Sequence, residues 1–139
     1  MKLSPAKMLI WVMAVVVLAV VFIQPGSETG KYVYQVETID NKCTFDEYQQ
    51  QDIRAVGDSI LIVMPIQTPT PCYEVQGSVD FFRSDITVNL QTKKRAEACT
   101  AECVGVTVAR VVISNLDSGT YGLQINAPDK SVRTSVKVK

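Results

Sequence analysis

The segments T-Y-G-L-Q-I-N-A at residues 120–127 and S-V-R-T-S-V-K-V at residues 131–138 both alternate apolar and polar side chains. Successive side chains of a strand point to opposite faces, so this period of two predicts strands with one buried and one solvated face. Ala127-Pro128-Asp129-Lys130 lies between them and is rich in turn formers. The chain is therefore predicted to contain two half-buried strands here, separated by a turn.

The same rhythm extends over most of the chain after residue 30, in residues 32–37, 73–81 and 85–91. Turn-forming residues separate these segments, and no sustained helical periodicity occurs among them. Seven or eight short strands with regular turns are typical of an antiparallel two-sheet sandwich. We therefore predict an all-β, antiparallel sandwich.

Two segments depart from simple alternation. S-I-L-I-V-M-P-I at residues 59–66 is apolar on both faces, which is typical of a central strand, and its Pro65 fits only an edge, a bulge or the exit of the strand. Residues 104–113 change phase near Ala109 and Arg110. This change predicts a β-bulge there, and a strand covered on both faces is the alternative.

Composition excludes several classes of function. The chain has 139 residues, with 14 basic and 14 acidic side chains and no histidine. A net charge of zero lacks the electrostatic footprint of a nucleic-acid binder, so we expect no nucleic-acid partner. Without histidine, Ser-His-Asp catalysis, Cys-His catalysis and His-ligated metal sites are excluded. We expect no catalytic residue, no metal and no cofactor.

The N-terminal region carries an unbroken apolar run of 16 residues, Met8–Ile23. As a helix this run would measure about 24 Å, somewhat short of a hydrocarbon core of roughly 30 Å. Lys2 and Lys7 precede it, which favours a cytoplasmic N-terminus, and Gln24-Pro25 begins a helix stop. No small-residue cleavage site follows the run, so an uncleaved signal anchor is favoured over a cleaved signal peptide.

This interpretation divides the chain into three parts. Residues 1–24 form a signal anchor, whose residues 8–23 contact the lipid bilayer as a transmembrane helix. Residues 25–30 are a linker, and residues 31–139 form an extracytoplasmic β-sandwich domain. We therefore expect a single-pass protein of the cell membrane with its C-terminal domain outside the cytoplasm.

Export to an oxidising compartment predicts that the four cysteines, Cys43, Cys72, Cys99 and Cys103, form two disulfides. A tetrathiolate metal site is disfavoured because only Cys99 and Cys103 are close, with three residues between them instead of two. Counting strand directions places all four thiols at one end of the sandwich. The sequence leaves the pairing open, and we favour Cys72 with Cys99 and Cys43 with Cys103.

The segment L-D-S-G-T-Y-G-L at residues 116–123 resembles the tyrosine corner of immunoglobulin-like sandwiches. Asp117, Gly119 and Tyr121 match that pattern, in which the tyrosine hydroxyl bonds to backbone a few residues upstream. Leu123 stands where antibody domains carry the second cysteine of their inter-sheet bridge. The resemblance therefore implies the broader immunoglobulin or fibronectin type III architecture.

A wider resemblance covers about residues 53–127, through the order G-D-S-I-L-I-V, T-P-C-Y, I-T-V-N-L, A-C-T-A-E-C-V-G and N-L-x-x-G-T-Y. This order is similar to a group of uncharacterised exported prokaryotic sandwich domains. It implies an architecture and supplies no mechanism.

The loops expected at the cysteine end carry side chains suited to recognition, since tyrosines and amides on loops bind at low entropic cost. The candidate partner-binding residues are Phe45, Tyr48, Gln50, Thr68, Thr70, Lys94 and Arg95. For several of them the alternative is a purely structural role in a loop folded over the sandwich or in a solvated turn.

These observations favour a non-enzymatic domain that presents disulfide-stapled loops to a protein or cell-envelope partner. A sharper version makes it an accessory subunit of a membrane complex. One alternative is a protease inhibitor-like binding domain that uses the proline-containing loop at residues 67–71. An enzyme based on paired carboxylates is the third and least favoured class.

Overall fold

The alternating segments form strands in the computed structural model, which describes residues 31–139. The predicted signal anchor (1–24) and linker (25–30) lie outside the described residues. Within the described part, no helix is long and apolar enough to cross a membrane. The strands of residues 31–139 are β1 (Val33–Cys43), β2 (Asp52–Val56), β3 (Ser59–Thr68), β4 (Tyr73–Phe82), β5 (Asp85–Lys94), β6 (Gly105–Ser114), β7 (Gly119–Asn126) and β8 (Ser131–Val138).

These eight strands form two four-stranded sheets. The first has the order β1-β6-β3-β2 and the second the order β4-β5-β7-β8. Three antiparallel hairpins, β2–β3, β4–β5 and β7–β8, join strands that are neighbours in sequence. Strand β6 pairs with both β1 and β3, so it holds together distant parts of the chain. The all-β, two-sheet prediction is confirmed.

The hydrophobic core lies between the inner faces of the two sheets. Strand β3 contributes Ile60, Ile62, Met64 and Ile66, all fully buried. The other sheet contributes inward side chains at every second position, as the period-two pattern predicts. Burying an aliphatic side chain contributes roughly 1.5–3 kcal/mol, so this shared core is the main force that holds the sheets together.

One strand pair corrects the prediction of purely antiparallel sheets. Strands β5 and β7 run parallel, with Asp85 opposite Gly122 and Asn89 opposite Asn126. After β5 the chain crosses to the first sheet and runs back along it as β6. A single strand in the opposite sheet reverses the direction once, so β7 begins at the same end as β5 and runs parallel to it.

The expected bulge near Ala109 and Arg110 is absent from β6, whose pairing with β3 is continuous. The irregularity lies in the neighbouring strand, since the register of β1 against β6 shifts between Thr38 and Asp40 and leaves Ile39 as an extra residue. A bulge that inserts one residue reverses the faces of the side chains beyond it.

The phase change in β6 arises because both of its faces are covered. Its outward residues Val106 and Val108 join Val63 in a second, smaller apolar cluster outside the main core. Ile39, turned outward by the bulge, and Tyr48 from the following loop cover this cluster. The alternative interpretation of residues 104–113, a strand covered on both faces, is therefore correct.

Pro65 lies in β3 beyond the region that pairs with β2. The β2–β3 pairing ends at Val63, opposite Asp52, so Pro65 pairs with β6 alone. Proline has no N–H with which to donate a hydrogen bond. At Pro65 the edge of β3 that faces away from β6 has no neighbouring strand, so no hydrogen bond between strands is lost. Of the three positions predicted for Pro65, namely an edge, a bulge or the exit of the strand, the structure shows an edge.

Strand directions give the domain two distinct ends. Strand β1 runs from Val33, opposite Ser114, to Cys43, opposite Gly105. The end that we name the disulfide pole consists of residues 44–51, 69–72, 95–104 and 127–130. The opposite end, which we name the turn pole, consists of residues 31–32, 57–58, 83–84 and 115–118.

Candidate functional site

Two disulfides close the loops of the disulfide pole. Cys43 is bonded to Cys103 and Cys72 to Cys99, with Cα atoms 5.7 and 5.8 Å apart, respectively. The prediction of two disulfides is confirmed, and the pairing is the one that we favoured.

Gly105 brings the two disulfides to the same end. It pairs with Cys43, and a Cβ atom at Gly105 would overlap the main chain of Thr70 and Pro71, directly before Cys72. Only glycine permits this approach of one backbone to another. The prediction that the four thiols gather at one end is therefore also confirmed.

The loop at residues 44–51 folds back over the outer face of the first sheet. Its start is fixed by two backbone hydrogen bonds, from Thr44 N–H to the Val104 carbonyl and from Asp46 N–H to the Cys43 carbonyl, both 3.0 Å long. Further along, Tyr48 is half-buried against the second apolar cluster. The ring of Tyr48 therefore anchors the loop, and only part of this side chain faces solvent.

Phe45 and Val104 form the exposed apolar part of the pole. Phe45 is 80% exposed and Val104 is 47% exposed. The hydrogen bond between Thr44 and Val104 places the two segments side by side. The exposure of Val104 was not predicted from the sequence. Val104 continues the alternation of Val106 and Val108, so its position has the pattern of a residue inside the strand.

Gln50 is exposed beside this surface, and its side-chain amide donates to the Tyr48 carbonyl at 3.4 Å. An open groove next to it is lined by Tyr48, Gln50, Gln67 and Asp129. The carboxylate of Asp129 accepts a hydrogen bond from Gln67 N–H at 3.0 Å, on the edge of β3 that β2 leaves free. The groove is therefore polar, in contrast to the neighbouring apolar pair.

Thr68 is buried, in contrast to the exposed loop position that the sequence predicts. It is 3% exposed, and its hydroxyl donates to the Thr70 carbonyl at 2.8 Å. Thr70 is itself half-buried, and Pro71 is buried. The segment 67–71 leaves only Gln67 and Pro69 well exposed. It lacks the exposed stretch on which the inhibitor alternative depends.

Lys94 and Arg95 have different environments. Lys94 is exposed at the end of β5. Arg95 is half-buried. Its guanidinium donates to the Pro71 carbonyl at 3.2 Å, and its backbone N–H donates to the Cys72 carbonyl at 2.9 Å. Arg95 therefore holds the segment before β4 in place, and Lys94 is the basic side chain that faces solvent.

The residues that resemble a tyrosine corner lie at the turn pole. The buried Tyr121 donates its hydroxyl to the Asp117 carbonyl, four residues upstream, at 2.9 Å, and Gly119 begins β7 between them. Burial raises the pKa of Tyr121, and nearby Tyr32 and Asp117 raise it further. The Asp117 carboxylate also hydrogen-bonds Lys31 and raises the pKa of that amine. This network ties the start of the domain to the β6–β7 loop.

Within residues 31–139, no three side chains of the histidine, cysteine, aspartate or glutamate type lie together as metal ligands would. Comparisons with protein-family models, curated proteins and solved structures found no match to this chain.

Proposed function

We propose that this protein is a non-enzymatic, membrane-anchored extracytoplasmic domain whose disulfide pole binds a protein or cell-envelope partner. The observation that carries the proposal is the exposed apolar pair Phe45 and Val104, held on loops that two disulfides close. Large apolar side chains that stay exposed on a covalently fixed loop are typical of recognition surfaces.

Recognition would use a surface that is already ordered. The disulfides and the anchoring of Tyr48 restrict loop 44–51 before any partner arrives. Preorganisation of this kind lowers the ordering cost of binding. An aromatic side chain such as Phe45 adds contact area while only two torsions are frozen. Gln50 and Lys94 would supply the polar rim around this centre.

The proposed location is the outer face of the cell membrane, with one N-terminal span and a cytoplasmic N-terminus. Two disulfides support export, because such bonds persist in oxidising compartments and are rare in the cytosol. The apolar run Met8–Ile23 supports the anchor. Lys31 lies at the pole opposite the disulfides, so an anchored chain would carry its recognition loops away from the bilayer.

For the architecture we propose a variant of the immunoglobulin-like sandwich. The bond from Tyr121 to the Asp117 carbonyl supports this relationship. The parallel pairing of β5 with β7 departs from immunoglobulin domains, whose two sheets are antiparallel. The variation therefore lies in the second sheet.

The test is site-specific photo-crosslinking of the full chain in native membranes. A photoreactive amino acid replaces Phe45 or Val104 at the disulfide pole. In a matched control it replaces Thr134, which is exposed in the middle of β8. The expected result is one discrete adduct shared by positions 45 and 104 and absent at 134, identified by mass spectrometry.

Two outcomes would contradict the proposal. Positions 45 and 104 could give no adduct beyond that of position 134, which would mean that the apolar pair meets no partner. Adducts of equal yield at all three positions would indicate non-specific proximity. An adduct that copurifies in stoichiometric amounts would further favour the accessory-subunit version.

A further inference from the structure

The turn pole carries most of the exposed apolar surface of the described domain. Six large apolar side chains of residues 31–139 are exposed, and two of them, Phe45 and Val104, belong to the disulfide pole. The other four lie at or next to the turn pole: Val33, Tyr34, Val56 and Phe82. The proposed partner at the opposite pole leaves these four without an occupant.

The turn between β4 and β5 has the features of a contact site. Phe82 is 69% exposed at its tip, and the guanidinium of Arg83 lies 5.3 Å from the centre of that ring. Arg83 adopts a left-handed backbone conformation with φ of 57°, which glycine or asparagine would adopt more readily. An arginine kept in such a conformation points to a function for its side chain.

The charge of Arg83 is available to an external anion. The ion pairs within residues 31–139 involve other basic side chains, and no carboxylate of this described range lies within ion-pair distance of Arg83. The turn therefore presents an exposed aromatic ring together with an unneutralised cation.

The chain enters the domain directly beside this turn. Tyr32 stacks on Phe81, with ring centroids 4.3 Å apart and planes 15° from parallel, and Phe81 immediately precedes Phe82. Seven residues, 24–30, separate Lys31 from the end of the apolar run. Lys31 is eight Cα-to-Cα steps beyond Ile23, which reach at most about 29 Å at about 3.6 Å per step. An anchored chain would thus keep Lys31, at the turn pole, within about this distance of the end of the apolar run.

We infer that the Phe82–Arg83 turn docks on the anionic lipid surface of the membrane that holds the anchor. This inference rests on the proposed membrane anchor and adds a second, reversible contact between the domain and the bilayer. Phenylalanine is among the side chains that insert at the membrane–water interface, and basic side chains are attracted to anionic lipid. The tether makes a lipid surface a more favoured occupant than a second copy of the chain.

Tryptophan quenching in nanodiscs tests the inference with the full chain. The nanodiscs contain phosphatidylcholine and phosphatidylglycerol with brominated acyl chains, which quench only tryptophans that reach the lipid. Trp11 is the sole native tryptophan, so the unmodified chain reports on the anchor. The variant W11F/F82W reports on the turn pole, and W11F/F45W is the matched control at the disulfide pole.

The expected result is quenching of the parent and of W11F/F82W, and none of W11F/F45W. The emission of W11F/F82W should fall by about half or more, since a docked ring lies roughly 5–10 Å into the interface. Adding R83E to W11F/F82W should weaken its quenching in anionic nanodiscs. The corresponding charge reversal at the disulfide pole, K94E, should leave it unchanged.

The outcomes separate the docking from the anchor. An unquenched parent would overturn the anchor and the docking together. A quenched parent, with W11F/F82W as unaffected as W11F/F45W, would overturn the docking and leave the anchor intact. Equal quenching of the two variants would also overturn it, because the contact would not be specific to one pole. Blue-shifted but unquenched emission from W11F/F82W would show that residue 82 is shielded from water without reaching the lipid. That result would overturn lipid docking and assign the turn to a contact with a second copy of the chain.

Discussion

The two poles of this domain reverse the direction of the chain with different kinds of connection. The turn pole uses two-residue turns at 57–58 and 83–84, which join strands that pair directly. The disulfide pole contains one hairpin turn, residues 127–130, but its long loops 44–51 and 95–104 join strands that do not pair with each other. Short turns set the register of a hairpin by themselves, whereas long loops need additional constraints.

The additional constraints at the disulfide pole are covalent. Ordering each loop residue costs roughly 1–2 kcal/mol of backbone entropy, and loop 95–104 has no ladder hydrogen bonds to offset it. The disulfides lower this cost by restricting the unfolded chain. We conclude that the proposed recognition loops 44–51 and 95–104 owe their order to cross-links, while the turns 57–58 and 83–84 owe theirs to local pairing.

Of the changes considered, removing a disulfide should lower the free energy of unfolding the most. They close loops with sequence separations of 60 and 27 residues. The chain-entropy relation gives about 4 kcal/mol for C43A/C103A and about 3.5 kcal/mol for C72A/C99A. Urea unfolding of each double variant, compared with the oxidised parent, measures these losses.

The location of the loss matters as much as its size. Amide hydrogen exchange should rise in loops 44–51 and 95–104, while the turns at 57–58 and 83–84 keep the protection of the parent. Equal loss of protection at both poles would show that the disulfides stabilise the whole domain and not one end of it.

Replacing one glycine at each pole should give the next largest effect. G105A should destabilise by about 3 kcal/mol, because its Cβ would overlap the main chain of Thr70 and Pro71 in a packed region. G57A should cost only about 1 kcal/mol, the strain of a left-handed alanine, since the space around Gly57 is open. Thermal unfolding of both variants measures the difference, and equal shifts would contradict the close approach at Gly105.

Removing the Tyr121 hydroxyl should weaken the turn pole by a smaller amount. Y121F loses the hydrogen bond to the Asp117 carbonyl, a loss of about 1 kcal/mol at neutral pH. The matched control is Y34F, since the Tyr34 side chain is exposed and lies outside this hydrogen-bond network. Denaturant unfolding at pH 7 should separate the two variants, and identical stabilities would contradict a structural role for the bond.

The stability of Y121F should also depend less on alkaline pH than that of the parent. The pKa of Tyr121 is raised in the folded state above its ordinary value of 10.0, so the folded state holds that proton more tightly. This contribution to stability is fully present below about pH 10 and is lost as pH rises through the folded-state pKa. Stability should therefore fall less steeply above about pH 10 in Y121F than in the parent, as urea unfolding across that range would measure.

Truncating the exposed phenylalanine of either pole should have the smallest effect on stability. F45A and F82A remove side chains that are 80% and 69% exposed, so each should change the free energy of unfolding by less than about 0.5 kcal/mol. Unfolding curves that overlay the parent would separate the proposed contacts of these rings from folding. A loss of more than about 1 kcal/mol for either variant would assign that ring a structural role.

The strands could be predicted because alternation is a local property of the chain. Pro65 and the 57–58 turn could be interpreted for the same reason, since each constrains only its neighbours. The parallel pairing of β7 could not be predicted, because it depends on which sheet β6 joins. The predicted bulge falls in the wrong strand, since a phase change in β6 has the same pattern whether a bulge or a second cluster causes it.

The contact residues were predicted with less success for a related reason. Phe45 and Gln50 are exposed, but Thr68 is buried and Arg95 holds the Pro71 carbonyl. Thr68 lies two residues after Ile66 and four after Met64, so the period-two pattern of β3 places it on the buried face. The sequence interpretation missed this because it treated residues 67–71 as one loop, whereas β3 extends to Thr68, whose hydroxyl lies 3.4 Å from that of Thr107.

The central claim is that the turn pole faces the bilayer and the disulfide pole points away from it. Paramagnetic relaxation enhancement from gadolinium-bearing lipid headgroups, measured on backbone amides of the full chain in nanodiscs, tests it most directly. The account predicts strong broadening at residues 57–58, 83–84 and 115–118 and little at residues 44–51 and 95–104. Stronger broadening at the disulfide pole, or equal broadening at both poles, would contradict it.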